Sequence, residues 1–159
     1  MRKYTITAVV VMIITAVLFC FDSCKSKGVE LALCYYDTDE VIATFDVEEG
    51  TKFSVEFIHS VNKSPIKEIY EVKDGTIYAH STVYATFGAG VQTEIEEGQT
   101  LGYDDEGNMI VSGFDMEFPK LRFTVGSVYD HILEIGGESI SLTELCGRHS
   151  KVYFEVRSK

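Results

Sequence analysis

From Lys52 to Val61 the chain reads KFSVEFIHSV, with Phe53, Val55, Phe57 and Val61 on alternate positions. A period of two sends successive side chains to opposite faces of an extended backbone, so one face of this segment is apolar and the other polar. The same habit recurs along the chain. ELALCYY (Glu30 to Tyr36), EVIATFDV, IKEIYEV, TIYAHSTVYATF, MIVSG, KLRFTVG, HILEIGG, ESISL and KVYFEV all read as short strands, and Val152, Phe154 and Val156 share a face in the last. Turn residues punctuate them at Asp37-Thr38-Asp39, Glu49-Gly50, NKSP, Asp74-Gly75 and DDEGN (Asp104 to Asn108). TEIEEGQT reads as irregular, and one helical turn is expected at Leu142 to Cys146. Many short strands joined by Gly-bearing turns predict an all-β chain, a β-sandwich or small barrel of short antiparallel strands.

The first residues differ in kind. Arg2 and Lys3 precede an uncharged apolar run from Ile6 to Phe21, after which DSCKSKG turns polar. A basic start, an apolar middle and a polar exit describe a secretory leader, and the run is short for a spanning helix of about 20 residues. Two endings are open. Ser23-Cys24 resembles the processing site of bacterial lipoproteins, with Cys24 as the lipidated residue, although Phe21 and Asp22 depart from that pattern. The alternative is an uncleaved anchor oriented by Arg2 and Lys3. Residues 1–23 are thus a leader or membrane anchor, 24–28 a polar linker and 29–159 one β domain. Either ending tethers that domain to the membrane on its extracytoplasmic side, periplasmic or cell-surface.

The formal net charge of −11 and the lack of a Lys/Arg cluster in the domain argue against nucleic acid as a partner. Cys34 and Cys146 lie near the two ends of the domain. In an oxidising exterior they either pair, closing a long loop worth about 4–5 kcal/mol in the chain-entropy model, or stay as two separate buried thiols.

The stretch FIHSVNKSPIKEIYEV (Phe57 to Val72) carries the polar residues of most interest. A four-residue loop between Val61 and Ile66 places His59 opposite Glu68 and Phe57 opposite Tyr70, with opposed Cβ atoms about 4.5–5.5 Å apart. The expectation is a His–Glu pair on the apolar side of a hairpin. Such a pair either fixes the register by mutual satisfaction or forms a site with Ser60, Lys63 or a ligand. Ser60 points to the face opposite His59 in a regular strand, which argues against a hydrolase triad. His80, His131 and His149 lack metal-ligand spacing, DDEGN lacks the ligand pattern of a calcium loop, and FGAGV has no following helix or lysine. No metal and no cofactor is expected.

HSVNKSPIKEIY followed by FGAG resembles a bacterial family catalogued as domain of unknown function 1850. That family's pattern is matched by His59, Ser60, Val61, Lys63, Pro65, Glu68, Tyr70, Gly88, Ala89 and Gly90, with departures at Asn62, Ile66 and Gln92. The resemblance implies small exported or membrane-anchored proteins, often encoded beside TAXI-type TRAP transporters, and no enzymatic activity. Taken with the exported leader and the polar hairpin, that setting leads to the expectation of a binding or interaction module accessory to a TRAP permease or its solute-binding protein. The candidate contact residues are His59, Ser60, Lys63, Glu68, Tyr70, Gly88 and Gly90. An enzyme using His59 and Glu68 as base and orienter on a small solute, or a purely structural envelope lipoprotein, are the alternatives.

Overall fold

The structure is a computed structural model that describes residues 28–85 and 94–159. Two antiparallel sheets pack face to face. The smaller has the order β2-β1-β12-β9, from β1 (Val29–Tyr35), β2 (Val41–Val47), β9 (Leu121–Thr124) and β12 (Lys151–Ser158). The larger has the order β11-β10-β3-β4-β5-β7-β6, with β8 also paired to β5. Its strands are β3 (Lys52–Ile58), β4 (Pro65–Lys73), β5 (Thr76–Tyr84), β6 (Thr100–Tyr103), β7 (Met109–Ser112), β8 (Glu117–Phe118), β10 (His131–Ile135) and β11 (Glu138–Ser141). A single-turn helix α1 (Leu142–Cys146) follows β11, with the Ser141 side chain accepting from the Glu144 N–H as its N-cap.

The hairpins form where turn chemistry allows. Asp74 and Gly75 both have positive φ, 52° and 73°, between the paired Lys73 and Thr76. That is the backbone a two-residue hairpin requires, and an Asp-Gly pair tolerates it.

Alternation then builds the core. Leu31 and Leu33 of β1 and Val152 and Phe154 of β12 face Phe53 and Val55 of β3, Tyr70 and Val72 of β4 and Leu133 of β10, all buried. Phe53 links the layers, its ring 5.4 Å from that of Tyr70 and 5.7 Å from that of Phe154. Leu142 and Cys146 of α1 join the same cluster. A second, smaller cluster holds Met109 and Val111 of β7, with Tyr84 and Phe114 packed against it. Two strands were not anticipated. Thr100–Tyr103, which begins at the last residue of the segment read as irregular, pairs with β7, and Glu117–Phe118 pairs with β5.

Cys34 and Cys146 are both free and buried. Cys34 packs with Ala32 and Tyr153, on the face of β1 opposite Leu31 and Leu33, whereas Cys146 belongs to the main core. The smaller sheet separates the two thiols. Of the alternatives open from sequence, the structure has two separate buried thiols and no disulfide. Cys24 lies outside the described residues. No helix among the described residues is long and apolar enough to cross a membrane.

Burial pushes the Cys146 thiol up to about 11, which further protects it in the native state. Alkylation without reductant should therefore leave the Cys34 and Cys146 peptides unmodified in the folded protein and label both after denaturation. Denatured protein in which neither is labelled would mean that they pair.

Candidate functional site

The turn between β3 and β4 runs from His59 to Ser64 and is longer than the sequence suggests. The His59 N–H donates to the Ser64 carbonyl at 2.9 Å, and the Lys63 N–H to the His59 carbonyl at 3.0 Å. Lys63 sits at φ 58°, the left-handed conformation that ends the turn. The His59 side chain is part of the same closure: its Nδ1 accepts from the backbone N–H groups of Val61 and Asn62, both at 3.3 Å. This resembles the way an Asx or Ser side chain caps a turn.

The turn is also centred two residues earlier in the chain than the sequence suggests, and this moves the register by four. Val55, not His59, pairs with Glu68; Phe53 pairs with Tyr70, and Phe57 with Ile66. The expected His59–Glu68 pair is therefore not formed. Face membership survives, because a shift by an even number of residues leaves inward and outward positions unchanged. Phe53, Val55, Phe57, Ile66 and Val72 remain on the inner side with Glu68, and His59 lies beyond the end of the strand in the turn.

The histidine that does lie in line with the apolar positions is His131. It pairs with Phe57 across β10 and β3, and the two rings stack at 5.2 Å. Its Nδ1 accepts from the Gly126 N–H at 3.1 Å, which leaves the ring proton of the neutral form on Nε2. Burial lowers its pKa, opposed by the neighbouring Asp130. Asp130 in turn accepts from the His131 N–H at 2.7 Å and the Thr143 N–H at 2.9 Å, and from the Ser141 hydroxyl. Burial acts to raise the Asp130 pKa, but these hydrogen bonds outweigh it and hold the carboxyl below its usual range. Asp130 thus ties the segment 126–131 to the start of α1. The alternation of His131, Leu133 and Ile135 in HILEI was the one sequence signal that pointed to His131.

Two loops meet at this end of the sandwich. Lys63 Nζ lies 5.8 Å from the centre of the Tyr129 ring, and the Arg148 guanidinium donates to the Ser127 carbonyl at 2.6 Å. Val61, Val128 and Tyr129 are exposed at 65%, 74% and 42%. Ser60 and Lys63 are exposed.

Glu68 and Tyr70 occupy a different place. In the row across the large sheet Glu68 stands between Val55 and Thr82, and Leu133 and Val111 extend the row on either side. The Tyr70 hydroxyl donates to Glu68 Oε2 at 2.7 Å. Burial raises the Glu68 pKa, with the Tyr70 hydrogen bond acting against it. The Tyr70 hydroxyl is itself pushed up, by burial first and then by the Glu68 charge. Both side chains border a pocket of about 120 Å³ whose other walls include Thr82, Phe114, Met116 and Phe118. The sequence-chosen residues are thus divided, with His59, Ser60 and Lys63 at the tip and Glu68 and Tyr70 on the inner face. Gly88 and Gly90 lie outside the described residues.

A family model described as Domain of unknown function (DUF1850) matches residues 53–142, more than half of the chain. The chain belongs to this family. The matched span of this DUF1850 protein runs from β3 through the first residue of α1 and so contains the His59 turn, the Glu68–Tyr70 pair and the Asp130–His131 segment. No curated protein and no solved structure matches the chain.

Two outcomes are expected of substitutions here. His59→Ala removes an acceptor shared by two turn N–H groups and should cost about 0.5–2 kcal/mol, by analogy with lost caps, while His59→Asn restores most of it. Urea denaturation of both variants measures this; equal losses would mean that the ring does something other than cap. For Glu68, the raised folded pKa means that the native state holds this proton more tightly than the unfolded chain. Its contribution to stability is present in full below the unfolded carboxyl pKa and is lost as pH rises through the folded one. Glu68→Gln lacks that loss, so its stability relative to the parent should rise as pH climbs from the unfolded carboxyl pKa through the raised folded one. A pH-independent difference would show that Glu68 titrates normally.

Proposed function

We propose that this chain is a membrane-tethered, extracytoplasmic interaction module that serves a TAXI-type TRAP transporter and has no catalytic activity of its own. One observation carries the reading: the exposed residues of the tip are carried by hydrogen-bonded turns at the end of the sandwich remote from Gly28. Val29 pairs with Val47 and Ser158, and Gly28 borders the same groove as Glu48, Thr51 and Gly136. The β3 strand starts at that end with Lys52 and finishes at the tip with Ile58. A domain held through the residues before Gly28 therefore presents Val61, Val128 and Tyr129 away from its tether.

Tyr129 and Arg148 are of residue types enriched at protein-binding hot spots, and the exposed Val128 adds apolar surface next to Tyr129. The turns that carry it are pre-ordered by His59 and Asp130, which lowers the entropy lost on docking. The resemblance to a family encoded beside TRAP systems supports the permease or its solute-binding protein as the partner. The alternative enzyme reading needed His59 and Glu68 together, and the observed register separates them.

Crosslinking of the tagged protein in native membranes, with partners identified by mass spectrometry, tests the proposal. A TRAP subunit should be enriched with the parent protein and lost with a folded Val128→Ser, Tyr129→Ala variant. Enrichment that survives this variant moves the contact elsewhere, and a TRAP subunit missing from the parent sample removes the transporter from the reading.

A further inference from the structure

The pocket beside Glu68 is separate from the tip and has its own chemistry. Its walls include Tyr70, Phe114, Met116 and Phe118, with Ser81 and Thr82 beside them, and Glu68 is the one carboxyl among its lining residues. Among the described residues, the Tyr70 hydroxyl is the one hydrogen-bond partner of Glu68, and Glu68 takes part in no ion pair. The nearest lysine in sequence, Lys67, points to the other face and pairs with Glu134.

Both protonation states of Glu68 leave a requirement open. Ionised, the carboxylate is set against apolar neighbours with a single neutral donor, an arrangement that costs free energy unless a positive charge accompanies it. Protonated, it carries an O–H, while Tyr70 already spends its own proton on Oε2. A protonated amine meets the first requirement with charge and N–H donors together. Aromatic walls add attraction for the same cation through their π faces, most strongly where water is excluded.

We propose that the Glu68 pocket is a binding site for a primary alkylammonium group. Glu68 accepts its N–H donors, and Tyr70, Phe114, Met116 and Phe118 enclose its first methylenes. The size fits such a group: about 120 Å³ is well below the roughly 300–1,000 Å³ of pockets that take whole drug-sized ligands. The pocket therefore holds the end of a molecule. Exposure of Met116, at 51%, leaves a way in from solvent. The amine belongs either to a small solute or to a lysine side chain of another protein, and the two share the chemistry that the pocket reads.

The test uses methionine methyl groups, since Met116 lines the pocket and Met109 sits in the neighbouring cluster. Full-length protein with ¹³C-methyl methionine is titrated with n-butylammonium chloride, with n-butanol and sodium chloride as controls and Nα-acetyl-lysine amide as the side-chain mimic. A saturable shift of the Met116 methyl with either amine and with neither control is the expected result. The tighter of the two amines identifies the source. Glu68→Gln should weaken it at least tenfold, with the Met109 methyl reporting that the fold is intact. Should that variant not fold, Ala79→Leu, which fills the pocket from β5 and leaves the carboxyl in place, should abolish the shift. No saturable shift, an equal response to n-butanol, or undiminished binding in the folded variants would overturn the proposal.

Discussion

The pairing of β3 with β4, in the register that sets Val55 against Glu68, is the contact on which the rest of this molecule depends. It fixes which residues of the larger sheet meet the smaller one, and it decides that a carboxyl stands inside while a histidine stands at the tip. The register is closed by the turn, where the His59 N–H reaches the Ser64 carbonyl and the His59 ring gathers two further N–H groups. A turn shorter or longer by one residue would exchange the two faces of β4 and bring Lys67 and Ile69 to the core in place of Glu68 and Tyr70.

Part of this arrangement is legible in the sequence and part is not. Alternation in KFSVEFI and IKEIYEV identified both strands and the faces they bury, because burial is what the pattern records. It could not reveal where the turn is centred. Registers that differ by an even number of residues bury the same residues, so nothing apolar distinguishes His59 opposite Glu68 from Val55 opposite Glu68. Hydrogen bonding within the turn makes that choice. The strand Thr100–Tyr103 escaped notice because its residues are exposed and Gly102 interrupts it, and Glu117–Phe118 because two residues have no period. The thiols were ambiguous for another reason. ALC in β1 is buried on both faces, so the run gives no sign that Cys34 faces away from the core that holds Cys146.

Two carboxyls in this fold show how surroundings assign roles. Asp130 has donors from Ser141, Thr143 and its own neighbour, and these settle it as an ionised joint between a loop and a helix. Glu68 has one phenol and a mostly apolar pocket beside it. Both residues are acids within the matched family span, and their side-chain types alone do not separate them. The number of donors that reach each one does. The first is satisfied within the chain, and the second is suited to an interaction beyond it.

The placement of β1 has a mechanical consequence. Its first residues lie beside Val47 and Ser158, and it is hydrogen-bonded along its length to β2 on one side and β12 on the other. Suppose the domain is gripped at the Val128–Tyr129 end and pulled by the chain leading into Gly28. The load then runs parallel to β1 and across two ladders at once, so the bonds must yield in shear together. A strand at the edge of the sheet would peel away one pair at a time. An inner strand at this position thus resists a pull that would unzip an edge strand.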